Sequence, residues 1–164
     1  VVDDGSTDGT PKILKQKFPE IQILQGTGSL FWCGAISLGI KFALEIGNKN
    51  DFVLLLNNDV RLSANAIINL TNVLVRYDRK AIAGALSVNI KDKKTIIKSG
   101  TIVRSWFWNS THHLYNGQKL NNINSYEPRA VDVLTGRCLL HPIEIFNKIG
   151  NYDNKTFRHY GGDD

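Results

Sequence analysis

DFVLLLNNDV, residues 51–60, decides how this chain folds. Phe52 to Leu56 is an apolar run of strand length without polar alternation, the mark of a strand covered on both faces. Asn57-Asn58-Asp59 follows at once, which sets three polar side chains at the carboxyl end of that strand. Upstream, Gly34 to Ile46 carries Ile36, Ile40, Ala43 and Leu44 at helical spacing and stops at Gly47. Gly26 to Cys33 is a Gly-containing loop, and Ile21 to Leu24 is a short strand. Thr10-Pro11 starts a helix to about Lys17, with Thr10 as the capping hydroxyl. Val1-Val2 ends a strand, and Asp3 to Asp8 is a turn-rich loop. Downstream, Ser63 caps a helix over about Ala64 to Tyr77, and Ala81 to Val88 reads as a further strand. The order β-α-β-α-β-α-β predicts an α/β fold, a mostly parallel central sheet with helices on both faces. In such folds ligands sit at the carboxyl ends of the strands. Here those ends carry Asp3–Asp8 and Asn57–Asp59.

After Val88 the pattern changes. Asp92-Lys93 lies between Ser87–Ile90 and Thr95–Lys98, a hairpin signal, and Gly100 to Arg104 reads as another short strand. Asn109 to Glu127 is polar and without period, the pattern of a long loop. Ala130 to Thr135 returns to strand character, and Pro142 starts a last helix to about Ile149. We expect one domain, 1–164, with halves 1–88 and 89–164.

Composition narrows the function classes. With 164 residues, 42% hydrophobic and 21% charged, the chain has enough apolar area to fold. No stretch approaches the ~18 apolar residues of a membrane span, and no basic-then-apolar leader opens it. The first residues end a strand and Gly161-Gly162-Asp163-Asp164 closes no element, so a longer parent protein is expected. The net charge of +5 favours anionic partners, but no block of Lys and Arg suggests nucleic acid. Lys91, Lys93 and Lys94 fit a hairpin turn, and Cys33 and Cys138 fit two thiols outside any disulfide or metal spacing. His112, His113, His141 and His159 show no metal spacing either.

Four groups could carry chemistry. Asp3-Asp4-Gly5-Ser6 at a strand end offers carboxylates and a hydroxyl to a nucleobase or ribose, or simply makes a tight turn. Asp59 could hold a hard cation such as Mg²⁺, with Asn57 or Asn58 adding neutral oxygens, or be an ordinary loop acid. Gly26-Thr27-Gly28 precedes Phe31 and Trp32; it fits neither the dinucleotide fingerprint nor the P-loop, yet its backbone N–H groups could face a diphosphate. Asp163-Asp164 after Gly161-Gly162 could supply a general base, or could be a frayed acidic end. Trp106 and Trp108, at period two, fit one side of a strand or loop, with sugar stacking open.

VVDDGSTDGT, LFWCGAISLGIKFAL, DFVLLLNNDV, VDVLTGRCLL, IFNKIGNYD and HYGGDD, in that order, resemble the family 2 glycosyltransferases, and within them the bacterial rhamnosyltransferase-like branch. The resemblance implies a GT-A type fold and an inverting, metal-dependent transfer from a nucleotide-sugar. It implies Mg²⁺ or Mn²⁺ as cofactor and a glycan or lipid-linked acceptor, in cell-surface polysaccharide synthesis. Cytoplasmic placement follows, with peripheral contact to the inner membrane face open. It assigns Asp3 and Asp4, with Ser6 and Asn58, to the nucleotide, and Asp59 to the metal and diphosphate. Asn57 stands where the D-x-D motif usually has its first Asp. Asp163, with Asp164 as alternate, matches the base, and Trp32, Thr135 and Gly136 fall on the acceptor and sugar side. Rival readings are a nucleotide-binding relative without catalysis, suggested by Asn57, and a sugar-1-phosphate nucleotidyltransferase. A phosphoacceptor receiver domain also has an acidic pair but lacks a place for the C-terminal half.

Overall fold

A computed structural model describes residues 1–108, 110–124 and 127–157. The chain divides into two compact units, one built from Val1–Val53 with the segment that begins at Ile143, the other from Leu54–Pro142.

In the first unit, β1 (Val2–Asp3) pairs in parallel with β2 (Leu24–Gln25), Val2 opposite Leu24 and Asp3 opposite Gln25. The crossover between them is α1 (Thr10–Lys17), with Pro11 in its first turn. Gly9, not Thr10, holds the cap position; its left-handed φ of 86° is one that Gly adopts without strain. Helix α2 (Phe31–Ile46) buries Cys33, Gly34 and Ile40 and lies against β1, where Gly39 leaves room for Val2. It starts three residues earlier than the periodicity predicts. It ends at Gly47, whose N–H donates to the Ala43 carbonyl. Helix α4 (Ile143–Ile149) returns to this unit, burying Ile143 and Phe146, and the Ile143 N–H donates to the Asp51 carbonyl.

In the second unit a three-stranded sheet runs in the order β3-β9-β4, with β3 at Phe52–Leu56, β4 at Ala83–Gly84 and β9 at Cys138–Pro142. All five residues of β9 are buried, and β9 is antiparallel to β4. Helix α3 (Ala66–Arg76) packs Leu70 and Leu74 against this sheet. Asn65, not Ser63, precedes it at the cap, and Ser63 contributes only its carbonyl, to the Ala66 N–H.

Two expectations need correction. The strand expected at Ala130–Thr135 lies instead at Cys138–Pro142. Within 130–135 the chain makes a single bridge, Val133 to Thr101, and the Asp132 carboxylate turns to accept the Val103 N–H. The uninterrupted apolar pair Leu139-Leu140 takes the buried position, and His141 hides the run from a periodicity count. The strand expected at Ala81–Val88 is broken into β4 and β5 (Ser87–Val88). β1 pairs with β2 in parallel, whereas the pairings β4–β9, β5–β6 and β7–β8 are antiparallel.

The hairpin expectation holds: β5 pairs with β6 (Ile96–Lys98) across a turn in which Lys93 takes φ 52°. The Asp92 carboxylate accepts the N–H groups of Lys94 and Thr95, and these bonds with the Thr95 hydroxyl hold it well below the usual carboxylate range. β7 (Thr101–Ser105) pairs with β8 (Ser110–His113), so the span read as one long loop contains a strand and a 3-10 turn at Leu120–Asn122. Cys33 and Cys138 are both buried free thiols, and burial pushes the Cys138 thiol up.

Candidate active site

Two polar clusters occupy strand ends, one in each unit. In the first unit, the loop after β1 lies on the loop after β2. Asp3 is buried, and its Oδ2 accepts Gln25 Nε2 at 2.9 Å while its Oδ1 accepts the Ser6 N–H at 3.3 Å. Hydrogen bonds from Ser6 and then Gln25 lower its pKa. Asp4 reaches across to the neighbouring loop, where Oδ1 accepts the Gly28 N–H at 2.7 Å. Its Oδ2 accepts the N–H groups of Leu30 at 2.7 Å and Phe31 at 3.3 Å.

Glycine makes this approach possible. A Cβ on Gly26 would lie 2.5 Å from Asp4 Oδ1, 2.7 Å from Leu30 Cδ1 and 3.0 Å from the Asp4 Cα, and one on Gly5 would press on the Gly28 backbone. The backbone donors expected to face a diphosphate at Gly28 and Leu30 are therefore turned onto Asp4. Phe31 pays for this with a left-handed φ of 53° at the opening of α2. Ser6 stays exposed beside the cluster, as do Thr27 and Ser29, whose hydroxyls pair at 3.1 Å. Asp8 caps the Thr10 N–H at 2.9 Å, and its bonds to Thr10 lower its pKa. Trp32, one residue into the helix, sets its ring edge-on to Tyr152 at 5.7 Å between centroids.

In the second unit, the Asn57 N–H donates to the Arg137 carbonyl at 3.1 Å. That bond joins the end of β3 to the turn before β9. It ties the turn that carries Asn57, Asn58 and Asp59 to Arg137, which follows Thr135 and Gly136 in the chain, although Asn57 and Arg137 are far apart in sequence. The Val60 N–H closes the turn onto the Asn57 carbonyl at 3.3 Å. Asn58 and Asp59 are exposed, and among the described residues the Asp59 carboxylate has no hydrogen-bond or ion-pair partner. Among the described residues no three His, Cys, Asp or Glu side chains gather as a metal set. One free carboxylate beside amide oxygens still suits Mg²⁺ or Mn²⁺, which keep waters and take phosphate oxygens from substrate.

Asp163 and Asp164 lie outside the described residues. A cleft of about 340 Å³ beside α3 is lined by Asn69, Asn72, Val73, Arg76, Glu127 and Pro128; none is a candidate site residue, and Arg76 and Glu127 there form an ion pair. Sequence reasoning missed Gln25, the clamp on Asp3; its only signal is its place opposite Asp3 in the register.

A family model described as "Glycosyl transferase family 2" matches residues 1–131. The chain belongs to glycosyl transferase family 2. Its match takes in the Asp3–Asp4 cluster and the Asn57–Asp59 turn together. The chain is also similar to N-acetylglucosaminyl-diphospho-decaprenol L-rhamnosyltransferase of Mycobacterium tuberculosis, in strains CDC 1551 and H37Rv. Each is 29% identical over 179 aligned positions, which cover 96% of this chain and 55% of the relative. The chain thus spans about half the length of the curated relatives it matches. No solved structure matches it. Among the described residues no helix is long and apolar enough to cross a membrane.

Proposed function

We propose that this family 2 chain carries the donor side of an inverting glycosyltransferase. The enzyme would move a sugar from a nucleoside-diphosphate-sugar to an acceptor hydroxyl during cell-surface glycan assembly. The observation that carries the reading is the family match across both acidic clusters, with the Asp59 carboxylate exposed and unpaired among the described residues in the turn after β3. The relatives' name supports a rhamnose-type donor and a lipid-linked diphospho-sugar acceptor, and peripheral contact with the inner membrane face is part of the same proposal. A GT-A arrangement, with the β1-α1-β2-α2-β3 run as its nucleotide half, is part of the same proposal.

In this reading Asp3 and Asp4 shape the nucleotide pocket more than they supply free oxygens, because their carboxylates already accept backbone and Gln25 donors. Ser6 and Asn58, both exposed, are the groups left to meet ribose or base. Asp59, with Asn57 beside it, would hold a divalent cation, which when bound supplies positive charge to the leaving diphosphate. The acceptor oxygen attacks the anomeric carbon, the bond from that carbon to the diphosphate oxygen breaks, and the acceptor proton passes to Asp163, with Asp164 as alternate. Attack opposite the leaving group, with no covalent intermediate, inverts the anomeric centre.

The test is transfer from a panel of nucleotide-sugars by the full-length protein and its Asp163→Asn variant. Asp163→Asn is expected to lower kcat by about 10²–10⁴-fold while nucleotide affinity stays unchanged. Near-normal turnover in that variant would remove Asp163 from the base position. A chain that binds nucleotide but transfers no sugar from any donor would leave the binding-only reading, which Asn57 favours.

A further inference from the structure

The β7–β8 hairpin ends in Trp106-Phe107-Trp108, and these rings are 82%, 99% and 86% exposed. Two of the chain's three tryptophans thus stand in water at one turn, fixed by a bond from the Trp108 N–H to Ser105 Oγ at 3.3 Å. Folding leaves most of this aromatic area in water, although each such ring can bury ~150–250 Å². Scattered apolar residues on a surface are ordinary, but three adjacent aromatic rings at one tip are a contact waiting for an apolar phase. A sugar-stacking site would need a wall and converging polar groups around the ring. A Phe that is 99% exposed has neither.

The charge of the segment that carries the tip says what kind of phase. From Lys93 to Tyr126 the sequence contains no Asp or Glu, and it carries Lys93, Lys94, Lys98, Arg104 and Lys119. Lys119 is paired with Asp92 at 3.1 Å. Among the described residues Lys93, Lys94, Lys98 and Arg104 have no ion-pair partner, and exposed Arg104 lies two residues before Trp106. The acid facing the hairpin is Asp132, and it is engaged at the Val103 N–H. Tryptophan settles at the headgroup level of a bilayer, where its ring is apolar and its N–H stays wet, and nearby Lys and Arg draw it to anionic headgroups.

We propose that the Trp106-Phe107-Trp108 tip inserts into the interface of an anionic phospholipid bilayer, with Arg104 held against the headgroups. The contact gives a residue-level anchor to the peripheral membrane placement in the reading above. It is independent of the transfer chemistry, because vesicle binding is measured without donor or acceptor.

The test mixes the full chain with vesicles of phosphatidylcholine plus phosphatidylglycerol, or of phosphatidylcholine alone. Co-sedimentation with the anionic vesicles and a blue shift of tryptophan emission are expected. Replacing Trp106, Phe107 and Trp108 by Ser should weaken partitioning at least about tenfold and remove the shift. Arg104→Gln should weaken it about fivefold, the effect of one charge near such a surface. Among the described residues the tip is covered by little, so the serine variant should melt with the parent, and a matching melt verifies that. Phe107→Glu alone is a second variant with the same expected loss. Parent protein that ignores anionic vesicles, or a serine variant that partitions as the parent does, would overturn the proposal and leave the transfer assignment untouched.

Discussion

The turns after β1 and β3 each end on acids, yet the carboxylates stand in opposite conditions. Asp4 accepts three backbone N–H groups from one loop, and Asp3 is clamped by Gln25 and Ser6. Asp59 is exposed and accepts nothing from the described residues. A carboxylate whose lone pairs are filled by fixed donors holds a loop in shape; one left open can bind a ligand that arrives later. The same residue type after a strand therefore stands in two conditions, and the hydrogen bonds it accepts separate them.

The sharpest way to break the comparison is Asp59→Ala. If the open carboxylate serves the diphosphate, transfer by the full-length protein should fall by about 10²–10³-fold, the several kcal/mol that positive charge supplies to a leaving group. The melting temperature should stay within about 1 °C of the parent, since no bond within the fold is lost. Nucleotide affinity should become insensitive to added Mg²⁺, which titration calorimetry with and without the ion can read. A large drop in melting temperature would make Asp59 a structural acid like Asp4.

The converse expectation holds for Asp4→Ala. Three N–H groups would lose a charged acceptor at once, and donors left unpaired near the protein surface are only partly rescued by water. A fall in melting temperature of roughly 5 °C is expected. Nucleotide binding should weaken as a consequence of the displaced loop. Gly26→Ala attacks the same contact from the other side, because its Cβ would meet Asp4 Oδ1 and the Asp4 backbone. It should reproduce the destabilisation with the carboxylate still present. An Asp4→Ala protein that melts with the parent while losing nucleotide would return Asp4 to direct ligand contact.

The sequence made some of this legible and hid the rest for physical reasons. Helices α1, α2 and α4 announced themselves by Pro11, by the Ile36–Leu44 periodicity and by Pro142, signals that lie within a few residues of what they govern. The hairpin at Asp92 was readable because its turn is held by its own side chain. β9 was displaced because His141 interrupts its apolar run, and the strand expected at Ala81–Val88 came out in two pieces because its Ala83–Gly84 pairs with β9 while its Ser87–Val88 pairs with β6. Candidate acids were visible as residue types at strand ends. Their condition was not visible, because the donors that fill Asp4 come from Gly28, Leu30 and Phe31, more than twenty positions away. The bond from Asn57 to Arg137, which ties the Asp59 turn to the segment before β9, spans still more of the chain and has no local trace.

The smallest test concerns the buried member of the clamped pair. Hydrogen bonds from Ser6 and Gln25 hold the Asp3 pKa below its ordinary 3.8. A carboxylate depressed in the folded state stabilises fully above its unfolded pKa, and that stability is lost as pH falls through the folded value. The parent should therefore lose melting temperature on acidification below about pH 4, and Asp3→Asn should lose less, by roughly 1–3 °C. Asp8, Asp92 and Asp153 are depressed in both proteins and shift both curves alike, so the gap between the curves belongs to Asp3. The amide keeps one acceptor oxygen, for Gln25, and loses the bond from the Ser6 N–H at every pH, so the comparison reads the pH dependence and not the absolute melting temperature. Parallel curves would mean that Ser6 and Gln25 hold the neutral acid as firmly as the carboxylate, and the clamp would then be a matter of shape alone.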